Sequence, residues 1–373
     1  MTWAIIAGAL LVGLTNGAND NFKGVATVYG SGTTSYRWSL AWATVATAAG
    51  AVLALVFAGG LVEAFSGAGL VPDATTESGR FLAAVGTGAG VTVAVASVGG
   101  LPVSTTHALV GGLAGAGLAA VGAQINAGRL LGTFLLPLIA GPALAIVLTG
   151  VLYPTLRFAA RRLGVRRESC VCVGSEWVPV SLAPVTIGQS PAAIVGERRL
   201  TVTIGTGSEC VERYDGSLLG VSVQRAVDLT HLVSAGAVSL ARGLNDTPKI
   251  AALVIASRAV GANVGLGAVG AIMAVGGILG ARRVAETMSH RVTSLSSGQG
   301  LVANFSAALL VTVASRYGLP VSTTHVTNGG LFAIGAQTGQ AHWRTIATIL
   351  AAWVTTLPLA AILSALAYVT LGL

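Results

Sequence analysis

An octapeptide occurs twice in this chain. Gly100-Leu101-Pro102-Val103-Ser104-Thr105-Thr106-His107 returns as Gly318-Leu319-Pro320-Val321-Ser322-Thr323-Thr324-His325. A repeat of that length, so far apart, marks an internal duplication and restricts the chain to folds built from two copies of one unit. Each copy reads the same way. Proline lacks an N–H and fixes φ, so Gly-Leu-Pro ends the incoming helix. Ser-Thr-Thr then opens a new helix as its cap and first turn. A helix start offers unpaired N–H groups and the positive end of a dipole, which suits an anion, and the hydroxyls add donors. Two such starts, one per half, can face one site from two sides. The plainer alternative is a pair of kinked helices whose hydroxyls cap only their own backbone.

The setting decides between these readings. Of 373 residues, 53% are hydrophobic and only 9% charged, against about a quarter charged in soluble domains. The chain is therefore an all-α polytopic membrane protein, in which polar, broken helices are tolerated mainly where they line a site. The 51 glycines suit close helix packing. The net charge of +8 is explained by basic cytoplasmic loops, so no nucleic-acid partner is implied; membrane lipid is the surrounding medium. Cys170, Cys172 and Cys210 complete no metal spacing and read as reduced thiols. The N-terminal apolar segment lacks a basic region and a cleavage site and is expected to be retained.

Charge-free stretches outline the spans. Between Arg37 and Glu63 there is no formal charge, room for one helix of about 20 residues. The charge-free stretch between Arg80 and Arg129 exceeds one such helix and must be two, hinged at Gly-Leu-Pro. A further span lies between Arg129 and Arg157. Arg157, Arg161, Arg162, Arg166 and Arg167 then form a basic cluster. Beyond it the sequence turns mixed, with short strands expected at Val178-Pro179-Val180 and Leu200-Thr201-Val202-Thr203-Ile204. The pattern of the first half resumes near Ala226. The expected organisation is a first transmembrane repeat at 1–157, an extramembrane insert at 158–224 and a second repeat at 225–373. The third segment of the first half ends at Glu63, whereas its counterpart ends at Arg282 and Arg283. Basic loops stay inside, so the halves are expected to be inverted. The insert would be cytoplasmic and both termini outside.

A second motif is also duplicated. Asn19-Asp20-Asn21-Phe22-Lys23 and Asn245-Asp246-Thr247-Pro248-Lys249 share Gly-x-Asn-Asp-x-x-Lys. Both segments read as breaks in their helices. Ionised acids within a membrane are costly and mark ion pathways. The oxygens of Asp and Asn are hard ligands suited to Na⁺ or to proton relay. Lys23 and Lys249 lie three residues beyond each Asp, within reach of an ion pair. The alternative has both lysines snorkelling to the membrane surface. His107 and His325 read as helix residues bonded to a backbone carbonyl, because the hydroxyls already suffice for an anion.

Through Gly17-Ala18-Asn19-Asp20, Gly243-Leu244-Asn245-Asp246 and both Gly-Leu-Pro-Val-Ser-Thr-Thr-His copies, the chain resembles the inorganic phosphate transporter family of secondary carriers, the PiT family. The resemblance covers both repeats and not the insert. It implies a symporter of the plasma (inner) membrane that imports inorganic phosphate with Na⁺ or H⁺, built as an inverted repeat and often as a homodimer, with no cofactor and no enzymatic activity. By position it makes Ser104, Thr105, Thr106, Ser322, Thr323 and Thr324 the phosphate ligands. It makes Asn19, Asp20, Asn245 and Asp246 the cation ligands, with Asp20 and Asp246 binding Na⁺ if the carrier is sodium-coupled. Three departures stand out. The family typically has Asn where Lys23 and Lys249 stand. The second motif has Leu244 in place of alanine, with Arg242 just before it. Many members carry an acid at the position of Asn304. These changes bear on Na⁺ coupling more than on anion transport, and they make Lys23, Lys249 and Arg242 candidates for charge compensation. Rival readings are a carrier of sulfate or another tetrahedral oxyanion, a channel, and an intramembrane serine hydrolase using Ser104 and His107.

Overall fold

Glycine and proline decide where the long helices stop. The computed structural model describes residues 1–57, 59–162, 169–180, 195–206, 219–258 and 260–372. In the first half these include α1 (Thr2–Asp20), α2 (Tyr36–Phe57), α3 (Gly79–Val98), α4 (Thr105–Val121) and α5 (Leu136–Arg162). In the second half they include α6 (Val223–Ala256), α7 (Ala262–Gly280), α8 (Ser297–Arg316), α9 (Thr323–Thr338) and α10 (Trp343–Thr370). Seven helical stretches among the described residues are long and apolar enough to cross a membrane. After α3 and after α8 the chain turns at Gly100 and Gly318, with φ of 69° and 66°, a left-handed conformation that glycine adopts without a Cβ clash. Leu101 N and Leu319 N then bond back to the Ala96 and Ala314 carbonyls. Proline follows, and the next helix begins three residues on.

The chain divides into two units, Met1–Tyr153 with His231–Leu373, and Pro154–Thr230. Within the larger unit, helices of one half pack on helices of the other. α1 lies against α3 and α7, α2 against α7, and α4 against α3 and α10. Lipid is as apolar as leucine, so such contacts depend on close packing. Both motif glycines serve this end. A Cβ on Gly17 would fall 2.1 Å from the Met273 carbonyl oxygen, and one on Gly243 2.1 Å from that of Thr47. Large apolar side chains such as Val45, Ile139, Leu279 and Val354 point outward, as a lipid-facing surface requires.

One expected break is absent. α1 ends at Asp20 and the chain runs through a turn at 21–25 before the short helix Ala26–Gly30. The second motif, by contrast, lies inside the uninterrupted α6, which contains Pro248. A proline removes one backbone hydrogen bond, and here a single lost bond does not end the helix. The smaller unit carries an antiparallel sheet of β1 (Ser169–Val180), β2 (Val195–Thr206) and β3 (Leu219–Ser222), in the order β2-β1-β3. β3 pairs with β1 only over Cys170 to Val173. Pro179 therefore lies where β1 has one neighbour and needs no second ladder bond. Both expected strands fall within this sheet; Cys210 lies outside the described residues.

Candidate functional site

The first hydroxyl of each triplet caps its helix. Ser104 Oγ accepts from the His107 backbone N–H at 3.1 Å, and Ser322 Oγ from that of His325 at 3.2 Å. The third hydroxyl of each triplet reaches the opposite break. Thr106 Oγ1 donates to the Val321 carbonyl at 3.4 Å, and Thr324 Oγ1 to the Val103 carbonyl at 3.0 Å. The two helix starts therefore meet directly. Of the second hydroxyls, Thr105 donates to Asp20 Oδ2 at 3.0 Å. Thr323 is buried beside its neighbours.

The charged motifs converge on the same place. Lys23 Nζ is surrounded by four oxygens: Asp20 Oδ1, Asn19 Oδ1 at 2.8 Å, the Val103 carbonyl at 2.7 Å and Thr324 Oγ1 at 2.7 Å. Lys249 Nζ repeats the pattern with the Val321 carbonyl at 2.6 Å, Thr106 Oγ1 at 2.9 Å and Asp246 Oδ1 at 3.6 Å. Each lysine thus reaches the break of its own half and the last threonine of the other. The snorkelling alternative is overturned, since Lys23 is 2% exposed and Lys249 1%. Asn19 spans the first break, donating to the Leu101 carbonyl and accepting from Val103 N. Asn245 donates to Asp246 Oδ1 and to the Val321 carbonyl.

Arg242 joins the two motifs. Its Nη2 donates to Asn16 Oδ1 at 2.6 Å, its Nη1 donates to Asn21 Oδ1 at 3.0 Å, and its Nε lies 3.6 Å from Asp246 Oδ2. Asn16 Nδ2 in turn donates to Asp20 Oδ2 at 2.7 Å and to Asp246 Oδ2 at 3.3 Å. Three cations, Lys23, Lys249 and Arg242, thus face two carboxylates in one buried cluster. None of these five residues is more than 3% exposed.

His107 and His325 stand outside this cluster's hydrogen bonds. Their rings lie 4.3 Å apart, and His325 stacks on Trp353 at 3.8 Å. Trp353 Nε1 donates to the Pro102 carbonyl at 3.1 Å and so braces the first break. Asn304 accepts from Thr27 Oγ1 and donates to Ser234 in a separate polar group. Sequence reasoning missed Asn16, Ser97 and Ser315. Asn19 Nδ2 donates to Ser97 Oγ at 3.0 Å, and Ser315 Oγ donates to Asn245 Oδ1 at 3.1 Å. Both serines stand three residues before the repeat glycine, so extending the repeat upstream as Ala-Ser-x-x-Gly-Leu-Pro exposes them.

Helices of membrane-spanning length around a buried, charged core define a multi-pass integral membrane protein. Comparison supplies the family. A model described as the phosphate transporter family matches residues 16–364, and the chain belongs to that family. A Rhizobium meliloti protein named "Probable low-affinity inorganic phosphate transporter" is 29% identical, over 98% of this chain and 94% of that one. A Mycobacterium tuberculosis protein of the same name is 25% identical, over 98% of this chain and 76% of that one. The solved structure of a sodium-dependent phosphate transporter shares the fold, with a TM-score of 0.75 and 21% identity over 100% of this chain and 99% of that chain. The protein is a transporter and not an enzyme. Ser104 Oγ, the nucleophile of the hydrolase reading, is a helix cap.

Proposed function

We propose that the protein is a secondary carrier importing inorganic phosphate, driven by a gradient of H⁺ or Na⁺, with the anion held between the two Ser-Thr-Thr starts. The observation that carries this reading is the charge of the cluster where those starts meet. Lys23, Lys249 and Arg242 outnumber Asp20 and Asp246. An uncompensated charge away from water is costly, and an oxyanion beside two helix N-termini relieves it. Asn19, Asp20, Asn245 and Asp246 are the candidate ligands of the coupling cation, and Ser104, Thr105, Thr106, Ser322, Thr323 and Thr324 supply hydroxyls to the anion. All six hydroxyl residues are at most 3% exposed, so loading requires the two breaks to separate.

The halves 1–157 and 225–373 act as an inverted repeat about this point, with the insert 158–224 cytoplasmic. Single cysteines at Glu63 and Glu197, in a background without native cysteines, should then label from opposite faces of sealed cells. The working unit is a homodimer in the bilayer, to be checked by cross-linking in native membranes.

Uptake of labelled phosphate into proteoliposomes, with Na⁺ and pH gradients imposed separately, tests the function. The expected result is uphill accumulation, blocked by excess phosphate and not by equal sulfate. Equal competition by sulfate would favour the broader oxyanion carrier, and downhill flux alone a channel. Thr105→Val or Thr324→Val removes a donor while keeping shape. Each should weaken phosphate about five- to a hundredfold, the worth of one unmade buried contact.

A further inference from the structure

We infer that the Lys23 and Lys249 ammonium groups stand permanently where a carrier of this build would hold dissociable cations, so that phosphate transport here does not use Na⁺. The inference rests on the phosphate-carrier reading above.

The surroundings of Lys23 Nζ are those of a hard-cation site. A carboxylate, a side-chain amide, a peptide carbonyl and a hydroxyl all present oxygen to it, and oxygen is the ligand atom that hard cations take. Lys249 Nζ has the matching carbonyl and carboxylate from its own half and the matching hydroxyl from the other. The Val103 and Val321 carbonyls belong to the helix breaks, where the backbone lacks helical partners. At membrane depth such groups need a donor or a cation. Each lysine satisfies one of them, and each is buried.

A Na⁺ ion entering either cage would displace the ammonium or lie beside it. Displacement leaves a buried lysine without acceptors, and coexistence places two like charges at contact distance in a medium of low dielectric. A tethered cation also cannot leave with the substrate. It balances anion charge in every state of the cycle and draws nothing from a Na⁺ gradient, because a ligand shifts an equilibrium only by binding its states differently. The sodium-dependent transporter of similar fold shares the framework, while the two cages of this chain are filled by its own side chains.

The test uses the full-length protein in proteoliposomes, with Na⁺ replaced by choline at constant pH and ionic strength. Coupled ligands typically alter each other's affinity by about fivefold or more, so phosphate uptake by the parent should change by less than about twofold. Labelled Na⁺ should not bind the purified parent. In Lys23→Asn with Lys249→Asn both cages lose their ammonium. Phosphate uptake should then become stimulated about fivefold or more by Na⁺, with labelled Na⁺ bound. Stimulation of that size in the parent, or Na⁺ binding by the parent that the double substitution leaves unchanged, would overturn the inference. The parent's own measurements decide the matter if the double variant does not fold. Absence of phosphate uptake under every ion condition would instead remove the carrier reading, while Na⁺ binding still decides the cages.

Discussion

The two copies of the Asn-Asp-x-x-Lys motif are nearly the same in sequence and hold their charges differently. In the first copy, Lys23 closes directly on Asp20 across a turn at 21–25. In the second, Asp246 lies 3.6 Å from both Lys249 and Arg242, on a helix that runs straight through. One residue accounts for much of this. The position before the motif glycine is Asn16 in the first copy and Arg242 in the second. Arg242 stretches to Asn16, Asn21 and Thr47 and draws Asp246 away from exclusive pairing. A duplicated motif can therefore keep its reach to the opposite helix start while its charge pairing diverges.

The largest effect should come from breaking the two pairings in turn. Asp20→Asn leaves Lys23 without its carboxylate, and removing one partner of a buried pair costs about 3–5 kcal/mol. Asp246→Asn should cost less, about 1–3 kcal/mol, since the Asp246 carboxylate lies 3.6 Å from both Lys249 and Arg242 and closes directly on neither. Thermal unfolding of the detergent-purified variants measures both. Equal losses would mean that Arg242 does not redistribute the charge.

Next in size are the motif glycines, where the copies should behave alike. A Cβ at either meets a carbonyl oxygen at 2.1 Å. Gly17→Ala and Gly243→Ala should each destabilise by about 1–3 kcal/mol, the usual cost of overpacking. A clear inequality in the same assay would show that one helix pair yields where the other cannot.

Parts of this arrangement were legible in the sequence for a physical reason. Gly-Leu-Pro breaks a helix through local backbone chemistry, and both breaks stand where the repeat places them, with glycine at positive φ. The reach of each lysine to its Asp followed from spacing alone. The break expected at Asn245-Asp246 is absent because the polar residues of that run find partners inside the protein, so the helix continues through them and through Pro248. Asn16 and the Val103 and Val321 carbonyls were hidden for another reason. Their part in the cluster depends on which helices meet, and a carbonyl leaves no mark in a side-chain motif. Ser97 and Ser315 are legible in the sequence once the repeat is extended upstream of its glycine.

The smallest effect tests whether the two helix starts form one site. Ser104 and Ser322 share the same backbone angles, φ −98° and ψ 114°, and cap with nearly the same geometry. Ser104→Ala and Ser322→Ala should therefore each cost about 1 kcal/mol. The double variant carries more information. The residue before each cap, Val103 or Val321, offers its carbonyl to a threonine of the opposite start and to a lysine. Loosening one cap should disturb the acceptor on which the other start leans. Residues in one hydrogen-bond network couple by about 0.5–3 kcal/mol, so the double loss should depart from the sum of the single losses by at least about 0.5 kcal/mol. Simple additivity would mean that the starts are stabilised independently, and the case for an anion gripped from both sides would lose its structural basis.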